Sequence, residues 1–467
     1  MGKSRSVYAC SECGAQQPRW LGRCPDCGAW ESLIEESLGG TSSRGNFGVP
    51  GPKEAVEPVA LASILPDSAP RIETGEPELD RVLGGGLVPG SVTLLGGEPG
   101  VGKSTLALQV CGRLASEERP VLYVTGEESA EQIRLRADRL GGVPGHLQVM
   151  AETSVEAILA QWPKRPPLFV LIDSIQTMRC ERVESAAGSV AQVRESAALL
   201  AAAAKAHGTA VVLVGHVTKE GHLAGPRVLE HLVDVVLGLE GDRDHAFRLL
   251  RASKNRFGST QEVGVFTMEA EGLAAVGNPS ELFLSERSRG APGSCIVPIL
   301  EGTRPMLVEV QALIASATYG TPRRTCMGME DGRIALLLAV LDRRTDIDLL
   351  SRDVYVNVAG GVRVAETAGD LALCLAIASS RLDIPIPADV AACGEVGLGG
   401  EVRRVARLDL RVAEASRLGF SRVLVPSGAG EGSARNDQCE HVPIRNVSDA
   451  VAWLRTSPRG NDSVNNR

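Results

Sequence analysis

The apolar residues between positions 71 and 275 fall into short runs that alternate with amphipathic stretches. The short runs predict strands, and the stretches with apolar residues every three or four positions predict helices. Their alternation predicts an α/β fold, with a mostly parallel sheet and helices on both faces. The predicted strands are 91–96, 120–125, 168–173 and 209–215, and the predicted helices are about 103–115, 129–140, 154–161 and 189–206.

Later parts of the chain extend this pattern and then restart it. The runs Val233–Leu239, Phe247–Ala252 and Val263–Met268 predict further strands at one edge of the sheet. A second α/β pattern begins after about residue 285. The predicted segments are a small cysteine-rich module at 1–36, a linker at 37–70, the first α/β unit at 71–275, the second at 285–455 and a disordered polar tail at 456–467.

Composition narrows the class of protein. The chain has 467 residues, of which 43% are hydrophobic and 23% charged, as in an ordinary globular protein. No apolar run is long enough to span a membrane, and the first residues lack the apolar stretch of a signal peptide, so we expect a cytoplasmic protein. The net charge of −8 argues against a uniformly basic nucleic-acid-binding surface, although it leaves room for local basic loops.

A phosphate-binding loop is the clearest chemical signal in the sequence. Residues 97–104 read Gly-Glu-Pro-Gly-Val-Gly-Lys-Ser between a predicted strand and a predicted helix. In such loops backbone N–H groups surround phosphates, the lysine contacts the β- and γ-phosphates, and the serine ligates Mg²⁺. The alternative to a phosphate-binding loop is a glycine-rich turn that binds nothing. In a phosphate-binding loop without nucleotide, we expect Lys103 to face solvent. The residues predicted to bind ATP and Mg²⁺ are Gly97, Glu98, Pro99, Gly100, Val101, Gly102, Lys103, Ser104, Thr105 and Asp173.

Acidic residues after two other strands fit the same chemistry. The strand at 168–173 ends in Asp173, which is expected to hold Mg²⁺ through water. The strand at 121–125 is followed by Glu127 and Glu128. Glu127 is interpreted as the base that polarises the attacking water, with a helix N-terminal charge as the alternative. His216 is either a sensor of the γ-phosphate or a structural residue.

The cysteine-rich module predicts a structural zinc site. Four of the 11 cysteines form two C-x-x-C-G turns, at Cys10 and Cys13 and at Cys24 and Cys27. Two such turns can place four thiolates around one Zn²⁺, which stabilises a segment too short to build a core. Redox dithiols or coincidence are the alternatives. We expect the two tryptophans of this module, Trp20 and Trp30, to pack on the ribbon.

These motifs together resemble the bacterial RadA (Sms) family of RecA-related DNA repair ATPases over nearly the whole chain. The most specific mark is Lys254-Asn-Arg-Phe-Gly258. The others are Leu83-Gly-Gly-Gly-Leu-Val-Pro-Gly, Tyr123-Val-Thr-Gly-Glu-Glu-Ser and Gly215-His-Val-Thr-Lys-Glu-Gly. The resemblance implies a RecA-like core, a hexameric ring, single-stranded or branched DNA as a partner, and a RecA-type recombinase as a second partner.

The Lys254–Gly258 motif has a physical interpretation in a ring. A guanidinium delivered from one subunit to its neighbour's nucleotide stabilises the charge that develops on the γ-phosphoryl oxygens. Arg256 suits this role because its planar fork donates two hydrogen bonds and keeps its charge. Lys254 helps catalysis or contacts DNA. The alternative is that both are solvated charges in a turn.

Two loops are expected to face DNA by analogy with RecA-like proteins. They are about 176–190 and 217–229. Arg179, Lys219 and Arg227 are the candidate phosphate contacts, with Arg182 and His222 nearby. The alternative is that these basic residues are ordinary exposed charges. The loops contain few aromatic residues, so the sequence does not support base stacking there.

The second α/β unit resembles the proteolytic domain of Lon, most clearly at Ala388-Asp-Val-Ala-Ala-Cys-Gly-Glu-Val-Gly-Leu-Gly-Gly-Glu-Val. In register with that family, the serine of its Ser–Lys dyad corresponds to Ala368 and the lysine to Asp409. We therefore expect no peptidase activity, and a role in assembly with Arg323, Arg324, Arg343 and Arg344 as possible DNA contacts.

The motifs described above raise three candidate functions. The resemblance favours an ATP-driven DNA motor that unwinds or branch-migrates recombination intermediates. A nucleotide-switched adaptor that binds DNA without translocating stays open. An ATP-dependent protease is disfavoured because the dyad is absent.

Overall fold

The structure is a computed structural model of the chain, and it divides into two units, one up to Val276 and one from Gly277. The described residues are 5–10, 16–25, 28, 30, 32–38, 60, 70–118, 120–142, 145–162, 166–215, 228–241, 247–285, 287, 290–317, 321–428 and 439–457.

The N-terminal module is a small antiparallel sheet with the strand order β2-β1-β3. Its strands are β1 (Arg5–Cys10), β2 (Gln16–Gln17) and β3 (Leu33–Leu38). Cys10, Cys24 and Leu33 form its buried cluster, with Tyr8 and Leu21 packed against them. Trp20 and Trp30, which we expected to pack on the ribbon, lie outside this buried cluster and are more than half exposed.

The core of the first unit is a nine-stranded sheet, which confirms the predicted α/β class. The strand order is β12-β11-β10-β9-β4-β8-β7-β5-β6; β4 to β9 run parallel and β10 to β12 are antiparallel additions at one edge. The strands are β4 (Val92–Gly97), β5 (Val121–Thr125), β6 (Leu147–Ala151), β7 (Phe169–Asp173), β8 (Ala210–Val214), β9 (Val235–Glu240), β10 (Phe247–Asn255), β11 (Val263–Glu269) and β12 (Gly272–Ala275).

Helices cover both faces of this sheet, over two separate apolar clusters. Buried strands such as β4 and β7 have apolar residues on both faces, as expected of central parallel strands. Polar caps begin several helices; for example, Ser129 and Gln132 form a reciprocal capping box. The helices are α1 (Pro77–Leu83), α2 (Lys103–Leu114), α3 (Ala130–Arg139), α4 (Val155–Leu159), α5 (Val190–His207) and α6 (Val228–Leu232).

The second unit has a seven-stranded mixed sheet with the order β15-β16-β14-β13-β17-β20-β21, and β18 pairs with β19 separately. The strands are β13 (Ser294–Glu301), β14 (Arg304–Ser316), β15 (Arg324–Met327), β16 (Arg352–Val358), β17 (Val390–Ala392), β18 (Glu395–Val396), β19 (Val402–Arg403), β20 (Arg422–Pro426) and β21 (Glu440–Ile444). The helices are α7 (Pro279–Leu284), α8 (Asp331–Arg344), α9 (Asp370–Leu382), α10 (Leu408–Arg417) and α11 (Val447–Thr456).

None of the helices within the described ranges is both long enough and apolar enough to cross a bilayer.

Candidate functional site

The glycine-rich loop joins β4 to α2 at the carboxyl edge of the parallel sheet. Gly102 precedes α2 with φ 114°, a conformation that residues with a side chain rarely adopt. A Cβ on Gly102 would also lie 2.9 Å from Met268 Cε, so the methionine side chain would have to shift to admit one. The backbone N–H groups at this helix start have no side-chain cap, and uncapped helix starts of this kind suit the binding of anions.

Lys103 lies inside the loop rather than in solvent. Its side chain is buried, and Nζ donates hydrogen bonds to the carbonyl oxygens of Gly97 at 2.8 Å and Glu98 at 2.9 Å. Burial lowers the pKa of Lys103, while the carboxylates of Asp173 and Glu127 oppose that shift. The expectation that Lys103 faces solvent is wrong, because the loop curls around the lysine and offers it two carbonyl groups.

Asp173 connects the loop to the end of β7. Its Oδ1 accepts a hydrogen bond from Ser104 Oγ at 3.2 Å, which brings together the two residues predicted to hold Mg²⁺. Its Oδ2 accepts a hydrogen bond from the hydroxyl of Tyr123 at 2.5 Å. Burial and the Asp173 carboxylate both raise the pKa of Tyr123, so the phenol stays a donor at neutral pH. This hydroxyl and carboxylate set suits a hard divalent cation, whose preferred ligands are oxygen atoms.

The two glutamates that follow β5 have different partners. Glu127 is exposed, and its Oε1 accepts a hydrogen bond from Ser174 Oγ at 2.6 Å, next to Asp173 in the chain. Glu128 forms an ion pair with Arg136 on α3. The structure therefore places the carboxylate of Glu127, and not that of Glu128, beside the end of β7.

Arg248 is a residue near the loop that the sequence analysis missed. It is buried at the start of β10, and its Nε donates to the carbonyl of Val101 at 3.2 Å. The guanidinium therefore contacts the loop backbone directly. The signal in the sequence was a charged residue inside the apolar strand Phe247–Asn255, where burial requires polar partners.

The Lys254–Gly258 motif lies at the end of β10. Lys254 Nζ donates to the carbonyl oxygens of Glu230 at 2.6 Å and Val233 at 2.7 Å, next to the end of α6. Burial lowers the pKa of Lys254, and the neighbouring Arg256 lowers it further. In this arrangement Lys254 stabilises the end of a helix.

Arg256 pairs with a carboxylate of its own chain while staying half exposed. Its Nη1 lies 3.0 Å from Asp234 Oδ1. Asp234 is buried, and its Oδ2 accepts a hydrogen bond from the backbone N–H of Val92, the first residue of β4. Arg256 therefore lies at the beginning of the strand whose other end leads into the glycine-rich loop.

The two ends of β4 separate Arg256 from the loop of its own chain. β10 runs antiparallel to β9, which runs parallel to β4, so Asn255 pairs with Val235 near the start of β4. At about 3.3 Å per residue, six-residue β4 is roughly 20 Å long. A single arginine side chain cannot span that distance to phosphates in the same chain.

The predicted DNA contacts are only partly described. Arg179 and Arg182 are exposed. The backbone of Arg179 pairs with Ser154, which fixes where its side chain starts. His216, Lys219, His222 and Arg227 lie outside the described residues.

Two of the four predicted zinc ligands are described, and both are buried. Cys10 and Cys24 lie in the same small cluster, and Cys10 Sγ is 3.2 Å from Ser32 Oγ. Two thiols in a module with so few apolar residues fit the donor chemistry of a structural zinc site. Cys13 and Cys27 lie outside the described residues.

An ion pair lies near Ala368 and Asp409, the two positions that the resemblance to Lon assigns to the Ser–Lys dyad. Ala368 is buried in a short 3₁₀ turn, and Asp409 is exposed in the first turn of α10. Glu366 accepts two hydrogen bonds from the buried Arg411, each at 2.6 Å. The hydroxyl of Thr367, one position from Ala368, donates to Glu395 at 2.9 Å.

Two segments of the chain match models of known protein families. Residues 57–222 match a model described as an AAA domain, and residues 8–35 match one described as a rubredoxin metal binding domain. The first covers the glycine-rich loop, Glu127 and Asp173, and the second covers all four cysteines of the N-terminal module.

Curated relatives match nearly the whole chain. A "DNA repair protein RadA" of Bacillus subtilis (strain 168) is 48% identical over 98% of this chain and 100% of its own. A "DNA repair protein RadA" of Pseudomonas aeruginosa is 52% identical over 92% of this chain and 94% of its own. Among solved structures, one described as "Crystal structure of the RadB recombinase" is 22% identical, with a TM-score of 0.36, over 44% of this chain and 99% of that one.

Proposed function

Since this chain belongs to the RadA family of bacterial DNA repair proteins, we propose that it is a DNA-dependent ATPase that moves strands within recombination intermediates and stalled forks. Membership of this family supports a role in DNA repair and the hydrolysis of ATP. The observation that supports the mechanism is the cluster of Lys103, Ser104, Asp173 and Glu127 at the carboxyl edge of the sheet.

Each residue of this cluster has a distinct task in the proposal. Residues 97–105 hold the triphosphate through backbone N–H groups, and Lys103 exchanges its two carbonyl partners for phosphate oxygens. Ser104 and Asp173 hold Mg²⁺, which neutralises charge on the β- and γ-phosphates when bound. Glu127, held by Ser174, accepts a proton from the attacking water.

The position of Arg256 supports an assembly in which each nucleotide lies between two chains. Its own phosphate loop is at the other end of β4, whereas its half-exposed guanidinium is available to a neighbour. A chain placed head to tail with the next brings Arg256 to the neighbour's γ-phosphate, and repetition of that contact closes a ring. We propose a hexamer, in which Lys254 positions Arg256 by holding the end of α6.

The N-terminal module and the second unit have supporting roles in this proposal. Cys10, Cys13, Cys24 and Cys27 hold one Zn²⁺ that folds the module. Arg179, Lys219 and Arg227 contact DNA phosphates, and a RecA-type recombinase supplies the strands that are processed. The second unit contributes to assembly rather than to peptide cleavage, because Ala368 offers no nucleophile and Asp409 cannot act as the lysine of a Ser–Lys dyad.

A Lys103→Ala substitution tests the motor directly. The zinc-loaded wild-type protein, given ATP, Mg²⁺ and a fluorescent branched DNA, should displace or move strands. Lys103→Ala should lower ATP turnover and strand movement by at least about 100-fold, because it removes a cation from the phosphates. The control is Lys205→Ala, which removes an exposed lysine from α5 and should leave both rates unchanged.

The same assay separates the motor from the nucleotide-switched adaptor. An adaptor would bind the branched DNA in an ATP-dependent manner and hydrolyse ATP without moving strands. That result with the wild-type protein would contradict the proposed motor and leave the ATPase assignment intact. Near-normal turnover by Lys103→Ala would show instead that the loop is not the reaction site.

A further inference from the structure

The N-terminal module exposes two tryptophans on one surface. The side chains of Trp20 and Trp30 are 55% and 73% exposed. Trp20 Cη2 and Trp30 Cζ3 lie 3.7 Å and 4.0 Å from the position that a Cβ would take on Gly22, so both rings border the same glycine. We call this surface, with the exposed Arg23, the aromatic face.

Arg23 holds one of the two rings in place. Its guanidinium carbon lies 5.7 Å from the centroid of the Trp30 ring, which is cation–π geometry. Its Nε also donates to the carbonyl of Gly28 at 2.8 Å. Gly28 has φ 78°, and a Cβ there would lie 3.1 Å from Arg23 Nη2, so the backbone makes room for the guanidinium. Trp30 is therefore supported on one side and open on the other.

The exposure of these rings is costly for so small a module. Its buried cluster contains Cys10, Cys24 and Leu33. Two indoles are the largest apolar groups available to enlarge such a core, yet they lie outside it. Large apolar groups that a protein keeps exposed on one surface usually mark an interaction site.

We propose that the aromatic face binds single-stranded DNA by stacking bases on Trp20 and Trp30; this inference rests on DNA being the partner of the proposed motor. Exposed aromatic rings beside cations are the arrangement by which proteins hold single strands without reading their sequence. The charged residues of the segment 16–25 that carries Trp20 are Arg19 and Arg23, both positive. Their charge complements phosphates, whereas duplex DNA keeps its base faces stacked and inaccessible.

The emission of these tryptophans provides a local signal for the experiment. The chain has four tryptophans, and the other two lie elsewhere: Trp162 is buried and Trp453 is half-buried on α11. Zinc-loaded full-length protein is titrated with oligo(dT) and with an abasic oligonucleotide of equal length. We expect oligo(dT) to quench the emission, the abasic strand to quench it far less, and the Trp20→Phe/Trp30→Phe protein to lose the quenching signal.

Affinity changes then test stacking itself. Trp30→Ala should weaken oligo(dT) binding by about 5- to 100-fold, the range for loss of one base–aromatic stack, and Trp30→Phe should keep most of the affinity. Leu398→Ala, which truncates a side chain that is 70% exposed in the second unit, is the matched control and should bind as the wild type does. Unchanged zinc content and ATP turnover without DNA show that each variant is folded.

Two results would overturn the inference. One is equal affinity of the wild-type protein for the oligo(dT) and abasic strands. The other is unchanged oligo(dT) binding by Trp30→Ala, including the case in which this variant instead loses a recombinase, which would assign the aromatic face to a protein. Neither result depends on strand movement, so failure of this inference is distinguishable from failure of the motor proposal.

Discussion

Tyr123 illustrates how much one hydroxyl group can control at the phosphate loop. It is fully buried in β5, and its hydroxyl reaches across to Asp173 on the neighbouring strand β7. The contact occupies one carboxylate oxygen and leaves the other directed at Ser104. Groups that orient a metal ligand in this way tune the affinity of the site although they do not touch the ion.

A Tyr123→Phe substitution should therefore weaken the binding of the Mg²⁺ that supports nucleotide binding. We expect the Mg²⁺ concentration needed for half-maximal binding of a fluorescent ATP analogue to rise by about 10- to 100-fold. Binding without Mg²⁺ should change little, because the backbone N–H groups of the loop are intact. The control is Tyr355→Phe in β16 of the second unit. An unchanged Mg²⁺ titration for Tyr123→Phe would show that Tyr123 does not orient Asp173 for Mg²⁺ binding.

At the scale of single residues, the sequence predicts which residues belong to the site better than it predicts their burial and their partners. The glycine pattern identified the loop and the strand end identified Asp173, since both depend on local spacing. Burial of Lys103 depends on how the loop folds back on it, which spacing does not reveal. The position of Glu127 depends on Ser174, a partner far along the chain. Tyr123 stood in a recognised motif, and only the fold revealed why its hydroxyl needs an acceptor.

Helix α10 depends on one buried arginine for its attachment to the second unit. Arg411 pairs with Glu366 and also donates to the carbonyl oxygens of Pro298 on β13 at 2.7 Å and Ala406 at 3.0 Å. Leu300 N–H donates to the same Glu366 at 2.8 Å. The ion pair therefore links a helix, a strand and the 3₁₀ turn that contains Ala368.

Arg411→Ala should destabilise the second unit by about 3–5 kcal/mol, because it leaves a partly buried carboxylate without its charged partner and two carbonyl groups without their donor. Hydrogen exchange of β13 and α10 peptides at increasing urea concentration measures this loss. Arg403→Ala is the control: Arg403 is 58% exposed in its pair with Glu401, so its loss should cost at most about 1 kcal/mol. Equal effects of the two substitutions would contradict this account.

At the scale of elements, the strands with continuous apolar runs were predicted closely. β4 and β7 are buried along their length and β8 nearly so, and none of their bounds differs from the prediction by more than one residue. Two strands of this sheet, β6 and β12, were not predicted from the sequence. β6 is a half-exposed edge strand, and the four-residue β12 depends on pairing with β11, so neither carries a periodic signal of its own.

At the scale of the whole molecule, mixed rings test whether Arg256 acts at the nucleotide site of a neighbouring chain. Arg256→Ala protein should bind ATP and hydrolyse it poorly. Lys103→Ala protein should also hydrolyse ATP poorly, because its own phosphate loop is defective. In mixed rings at equal amounts, about a quarter of the sites should join an intact loop to an intact arginine. We expect ATP turnover of the mixture to rise toward that fraction of the wild-type rate.

The control for this mixture replaces Lys103→Ala with the double variant Lys103→Ala/Arg256→Ala, which offers no intact arginine and should give no rescue. Arg139→Ala, an exposed arginine on α3, should behave as the wild type does. Absence of rescue in rings shown by crosslinking to be mixed would place Arg256 outside a site shared between chains.

The location of Arg256 at one end of β4 and of Lys103 beyond the other also bears on inheritance. A chain altered at Lys103 silences its own site, and a chain altered at Arg256 silences the site of the chain beside it. A copy with both changes silences two sites for every position it occupies. In a cell that also makes the normal protein, such a doubly altered copy should therefore be more dominant than either single change.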